Sequence, residues 1–139
     1  MSVQDANKQL CRDYFKAFLA ADATWWAKHI APGFVRHDPG LPFVVQGPEG
    51  VKQLADALLP GIPDMTLPIE DVIAEGEKVL VRLRVKGTHN GPLMGMAPTG
   101  RKIDIAVLDL FQIRDNVLIE HWALLDNLGM LKQLGVTSI

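Results

Sequence analysis

The chain has 139 residues, 48% of them hydrophobic, and a formal net charge of −2 at pH 7. This length predicts one domain over residues 1–139 with one sizeable core. The near-neutral charge without a basic run argues against nucleic-acid binding, and no stretch approaches the roughly 20 apolar residues of a membrane span. The N-terminus lacks a signal-peptide pattern, and the single cysteine, Cys11, cannot form an internal disulfide, so we expect a cytoplasmic protein.

An amphipathic helix over residues 5–21 is predicted to open the chain, followed by a second, short helix over residues 22–30. Tyr14 lies on the buried side of the first helix, where its hydroxyl needs a hydrogen-bond partner. It is either a core residue or part of a pocket wall. A short extended run over residues 34–38 follows, and it ends with a His-Asp pair that belongs either to a substrate contact or to a surface loop.

The middle of the chain is predicted to contain one helix and two strands, over residues 51–59, 65–73 and 79–89. The second strand alternates apolar residues with arginine and lysine, which is typical of a half-buried strand with a solvated cationic face. His89 continues its apolar side. Residues 90–101 are rich in glycine and proline and contain two methionines, so they form either a plain loop or a mobile flap over an apolar cavity.

A β-hairpin is predicted near the C-terminus. Residues 103–113 and 117–125 are two β-rich runs, and the polar pair Asp115 and Asn116 between them suits a two-residue turn. A last helix is expected over residues 126–134.

One face of this hairpin is predicted to carry three carboxylates. If the pairing is regular from the turn onwards, Asp109, Glu120 and Asp126 share a face with Trp122. Burying carboxylates is costly unless they are paired or neutralised, so we expect this face to line a pocket. Asp126 has an alternative role as the cap of the last helix, and a register slip of one residue would exchange the two faces.

The second face of the hairpin is largely apolar. It is predicted to hold Leu108, Leu110, Ile119 and Ala123, and it would form a homodimer interface if no helix covers it. His121 belongs to this face by the same register, which makes it either a structural or a catalytic histidine.

The order of elements predicts an α+β fold with a curved antiparallel sheet over helices. Several segments in this order resemble the SnoaL-like polyketide cyclase family, also called ester cyclases, of the nuclear-transport-factor-2-like superfamily. They are RHDPG, QGPEGVKQL, IPDM, VLVRLRVKGTHNGPLMGMAPTGRKI and LIEHWALLDNLGMLKQLG. The resemblance implies a cone-shaped α+β barrel, with a curved sheet wrapped around N-terminal helices and a central pocket. The chain departs from the family at Asn116, where no glycine follows, and at Gln112, where an arginine is expected.

The resemblance also implies the chemistry. The founding members close a ring of an aromatic polyketide ester by intramolecular aldol condensation, with an aspartate as acid/base and with neither a metal nor a bound cofactor. Carried onto this chain, Asp126 is the acid/base, His121 or His37 stabilises the oxyanion, and Asp109 orients the acid or shares its proton. The remaining residues expected to line the substrate cavity are Tyr14, Phe34, Met94, Glu120 and Trp122.

Three other functions stay open at this stage. The same fold hosts unrelated reactions, so an isomerase, a dehydratase or a hydrolase is an alternative. A non-catalytic protein that binds an apolar small molecule is another, and an assembly domain that uses the outer face of the sheet is a third. The histidines and acids show no metal-ligand spacing such as HExxH, and the sequence has neither a serine nucleophile elbow nor a phosphate-binding glycine loop. The expected partners are therefore an apolar substrate and a second copy of the chain.

Overall fold

A curved six-stranded sheet packed by helices is the framework of the molecule. The computed structural model describes residues 2–138. In chain order the elements are α1 (Val3–Ala20), α2 (Ala23–His29), β1 (Ile30–His37), β2 (Val45–Gln46), α3 (Gly47–Leu58), β3 (Ile69–Glu75), β4 (Lys78–Thr88), β5 (Lys102–Arg114), β6 (Val117–Leu125) and α4 (Asn127–Gln133). The predicted α+β fold is confirmed.

The sheet is open and has the strand order β2-β1-β6-β5-β4-β3. Its pairs are antiparallel except for β1 and β6, which run parallel. The sequence predicted an antiparallel sheet and missed both this parallel pair and the two-residue strand β2. The parallel pairing places Arg36 of β1 directly beside His121 of β6, although the two residues are far apart in the sequence.

Helix α1 supplies the apolar face that fills the concave side of the sheet. Its apolar residues recur at helical spacing, and Leu10, Cys11, Tyr14 and Phe18 are buried. Burial raises the pKa of the Cys11 thiol, so this cysteine stays a protonated core residue. No helix within residues 2–138 is both long enough and apolar enough to span a membrane.

The hairpin turn forms as predicted, but the pairing beyond it shifts by one residue. Asp115 and Asn116 adopt left-handed φ values of 53° and 62°, as a two-residue turn requires. A β-bulge then makes Ile119 an extra residue on β6, so that Phe111 lies opposite His121 rather than Glu120. From this point on, every side chain of β6 lies on the face opposite to the predicted one.

The outer face of the sheet mixes ion pairs with exposed apolar residues. Arg84 Nε lies 2.6 Å from an Asp104 carboxylate oxygen, and Arg82 pairs with Asp71, so the cationic face of β4 forms cross-strand ion pairs. Leu108 and Leu124 face each other across the β5–β6 pair and are 46% and 62% exposed. The homodimer expected on this face stays a prediction.

Candidate functional site

The concave side of the sheet encloses an apolar cavity of about 110 Å³. Its walls come from α1 and from the inner faces of β4 and β5. They are completed by residues 36–41 at and after the end of β1, by residues 58–67 before β3, and by the end of β6 with α4. Leu93 and Met94 of the loop over residues 90–101 contribute to the lining. Met94 is 45% exposed, so it lies at the cavity rim, and its contact with a substrate stays a prediction. A substrate with several rings would need this loop to move, and its mobility stays a prediction.

One end of the cavity is polar although its surroundings are apolar. Tyr14, Arg36, Asp38 and Asp109 all line the cavity there. Asp109 points inward from β5 because it occupies the same every-second-residue series as Ile105, Val107 and Phe111, which are all buried. It is 3% exposed, and its Oδ1 atom has no hydrogen-bond partner within residues 2–138. A buried, unpartnered carboxylate oxygen costs stability, so it marks a position kept for chemistry or for a ligand.

His121 lies directly behind Asp109. Its ring is stacked on Phe111, with centroids 4.1 Å apart and an interplanar angle of 18°, and the residue is fully buried. Its Nε2 atom lies 3.3 Å from Asp109 Oδ1, in a geometry outside that of a hydrogen bond. Burial lowers the pKa of His121 although Asp109 opposes this shift, so the imidazole is neutral at pH 7. Because His121 does not line the cavity, its position suits a role through Asp109 rather than direct contact with substrate.

The neutral state of His121 predicts a loss of stability in acid. Its pKa is depressed in the folded protein, so the unfolded chain binds the proton more readily and the free energy of unfolding falls as the pH drops below about 6.5. The limiting slope for one such proton is about 1.4 kcal/mol per pH unit. Urea unfolding between pH 7 and pH 5 should show this slope in the wild type and a smaller one in His121→Phe.

Arg36 and Asp38 form a buried ion pair beside this carboxylate. Their side chains are 8% and 5% exposed, and Arg36 donates to Asp38 Oδ2 from Nη2 at 2.7 Å and from Nε at 3.2 Å. The second carboxylate oxygen of Asp38 accepts from the Gly40 N–H at 3.0 Å. The pair is therefore well satisfied, and it places a permanent cation at the polar end of the cavity.

Sequence reasoning missed Arg36 and chose its neighbour His37 instead. The signal was present, because side chains alternate along a strand and Phe34 is an obvious core residue. Counting by two from Phe34 gives Arg36 and Asp38 on the inner side and His37 on the outer side. Phe34 itself is buried in the core, with its ring centroid 6.2 Å from that of His121. It is not part of the cavity lining, which differs from the prediction for this residue.

Three of the predicted site residues lie together on the outer face of the sheet. His37 Nε2 is 2.7 Å from Glu120 Oε2, and its ring stacks on Trp122 with centroids 5.5 Å apart. None of the three lines the cavity. The bulge in β6 accounts for Glu120 and Trp122, since it turns both away from the inner face.

The predicted burial of Asp126 is wrong. Its side chain is exposed and accepts a hydrogen bond from the Gly129 N–H at 2.9 Å, as the N-cap of α4. The capping alternative is therefore confirmed. The physical reason is that β6 ends at Leu125, so Asp126 lies at the strand–helix junction and not on the inner face of the sheet.

Comparison with known proteins agrees with this architecture. The family model described as SnoaL-like polyketide cyclase matches residues 8–134. The aklanonic acid methyl ester cyclase DnrD of Streptomyces peucetius is 30% identical over 110 residues, which span 78% of this chain and 72% of DnrD. A SnoaL-like protein from Jannaschia sp. CCS1 superposes with a TM-score of 0.86 at 25% identity, covering 100% of this chain and 97% of its own. IdmH from Streptomyces antibioticus superposes with a TM-score of 0.81 at 31% identity, covering 94% and 99%.

Proposed function

Since this chain belongs to the SnoaL-like polyketide cyclase family, we propose that it closes a ring in a neutral carbonyl ester by cofactor-independent acid/base catalysis. The reaction is an intramolecular aldol addition, and Asp109 is the acid/base. The observation that carries this assignment is the Asp109 carboxylate, which is buried at the polar end of an apolar cavity with one oxygen unpartnered.

The reaction needs one group that takes up a proton and later returns it. Asp109 removes a proton from the carbon next to a carbonyl, which leaves an enolate. The enolate carbon attacks a second carbonyl of the same molecule, and Asp109 gives the proton to the new alkoxide. One C–H bond breaks, one C–C bond and one O–H bond form, and the product is an isomer of the substrate. The neutral His121 lies 3.3 Å from the Asp109 carboxylate and adds no charge beside it.

The charges in the cavity favour an ester over a free acid. The Arg36 guanidinium is already compensated by Asp38, whose carboxylate accepts two of its hydrogen bonds. A substrate carboxylate would therefore add a second uncompensated negative charge to that of Asp109 inside a cavity of low dielectric constant, whereas enolate formation neutralises Asp109 and leaves the net charge unchanged. A methyl ester avoids this cost, and DnrD is named for a methyl ester of this kind.

Incubation with aklanonic acid methyl ester tests the proposal. We expect the purified protein to convert it to a product of unchanged mass and different retention, and to leave the free acid unconverted. Heat-denatured protein is the control for spontaneous ring closure. A product that has lost water, a hydrolysed ester, or an unchanged substrate would contradict cyclisation of this ester.

A further inference from the structure

Tyr14 presents an unused hydrogen-bond donor to the cavity. It lies on the inner side of α1, is 1% exposed and lines the polar end of the cavity. Its O–H has no acceptor within residues 2–138, although the Arg36 guanidinium lies near enough to donate to the hydroxyl oxygen. Burial raises the pKa of Tyr14 to about 12, so the hydroxyl keeps its proton at neutral pH. A buried O–H without an acceptor costs stability unless a ligand supplies one.

Arg36 supplies a positive charge at the same place. Its guanidinium bonds Asp38 through Nε and Nη2. Its charge and its hydrogen-bond donors also oppose the rise that burial causes in the pKa of the Tyr14 hydroxyl. The two side chains thus offer a neutral O–H donor and a cationic N–H donor to one region of the cavity.

We propose that the Tyr14 hydroxyl and the Arg36 guanidinium form an oxyanion-binding site, which takes the enolate oxygen during ring closure and also binds a phenolate of similar shape. Donors fixed in position before the reaction stabilise developing negative charge more effectively than water does, since they need not reorganise. The enolate as natural ligand rests on the proposed function, but phenolate binding does not depend on turnover.

The charged groups around this site determine how it must be tested. Tyr14 faces Arg36, Asp109 and the Cys11 thiol, and Asp38 neutralises part of the charge of Arg36. Asp109 disfavours a second anion beside it, whereas asparagine at this position resembles the carboxyl after it has taken up the substrate proton. Asp109→Asn is therefore the background in which phenolate binding should be strongest.

4-Nitrophenol is a suitable probe, because its phenol and phenolate forms absorb at different wavelengths. We expect Asp109→Asn protein to bind it as the phenolate and to lower the apparent pKa of the bound probe. Adding Tyr14→Phe should weaken phenolate binding by about 10- to 100-fold, as expected for a lost hydrogen bond to a charged group. Arg36→Lys keeps the positive charge but lacks the planar guanidinium group. It should weaken phenolate binding less than Tyr14→Phe does.

Two controls separate this site from general changes in the cavity. Phe18→Leu in the same background alters the apolar wall without removing a donor, so it should weaken phenol and phenolate equally. Tyr14→Phe alone should stay folded, because the aromatic ring is retained and only the hydroxyl is lost. A bound probe that stays neutral, or equal phenolate binding after Tyr14→Phe in a folded protein, would overturn the proposal. Phenolate binding without cyclisation would refute the proposed function and leave the oxyanion site standing.

Discussion

Replacement of Asp109 by asparagine is expected to lower the cyclisation rate by about 10²- to 10⁴-fold in a protein that stays folded. An amide has the shape of the carboxyl group but cannot accept the proton from the substrate carbon. The unpartnered Oδ1 atom means that no hydrogen bond is lost there, and removal of a buried charge should hold or raise the free energy of unfolding. Initial rates with aklanonic acid methyl ester, together with urea unfolding, measure both effects.

Asp126→Asn is the matched control for this experiment. Asparagine caps a helix about as well as aspartate, so α4 should be retained. The Asp126 side chain is exposed and lies outside the cavity lining, and we therefore expect its replacement to change the rate only a few-fold. A large loss of rate in Asp126→Asn, with Asp109→Asn unaffected, would return the acid/base role to the residue that the resemblance indicated.

Regular alternation of apolar and polar residues along a strand predicts reliably which side of the strand is buried. In β4 the apolar residues recur at every second position, so the buried side of that strand follows from the pattern alone. Both faces of β5 carry apolar residues, and Asp109 was placed on the pocket-lining face because the assumed register grouped it there with other carboxylates. The turn at Asp115 and Asn116 was equally clear, because few residues adopt left-handed φ values readily.

The errors came from features that leave no mark in the hydrophobic pattern. Both faces of β6 are apolar, so no change of polarity shows that Ile119 is an extra residue. Pairing residues one by one from the turn takes no account of this bulge, so it assigns Glu120 and His121 to the wrong faces of the sheet. The parallel pairing of β1 with β6 joins residues about 85 positions apart, as between Arg36 and His121, and no local signal encodes it. The Arg36–Asp38 pair was therefore not placed in the cavity from the sequence.

Replacement of either member of the Arg36–Asp38 pair alone is expected to cost about 3–5 kcal/mol of stability. Both side chains are almost fully buried, so Asp38→Leu leaves a guanidinium and Arg36→Met leaves a carboxylate without its partner. Asp38→Leu also removes the acceptor for the Gly40 N–H. The free energies of unfolding from urea titration measure these losses. The exposed pair Lys52–Asp56 is the control, since Asp56→Ala should cost less than about 1 kcal/mol.

The double variant Arg36→Met, Asp38→Leu separates stability from function. Two apolar side chains leave no unpaired charge, so most of the stability lost in each single variant should return. The oxyanion site, however, would lose its cation, and both phenolate binding and the cyclisation rate should stay low. If the double variant recovered stability and activity together, the ion pair would be a scaffold element only. If it recovered neither, the loss would come from packing or from the Gly40 hydrogen bond rather than from unpaired charge.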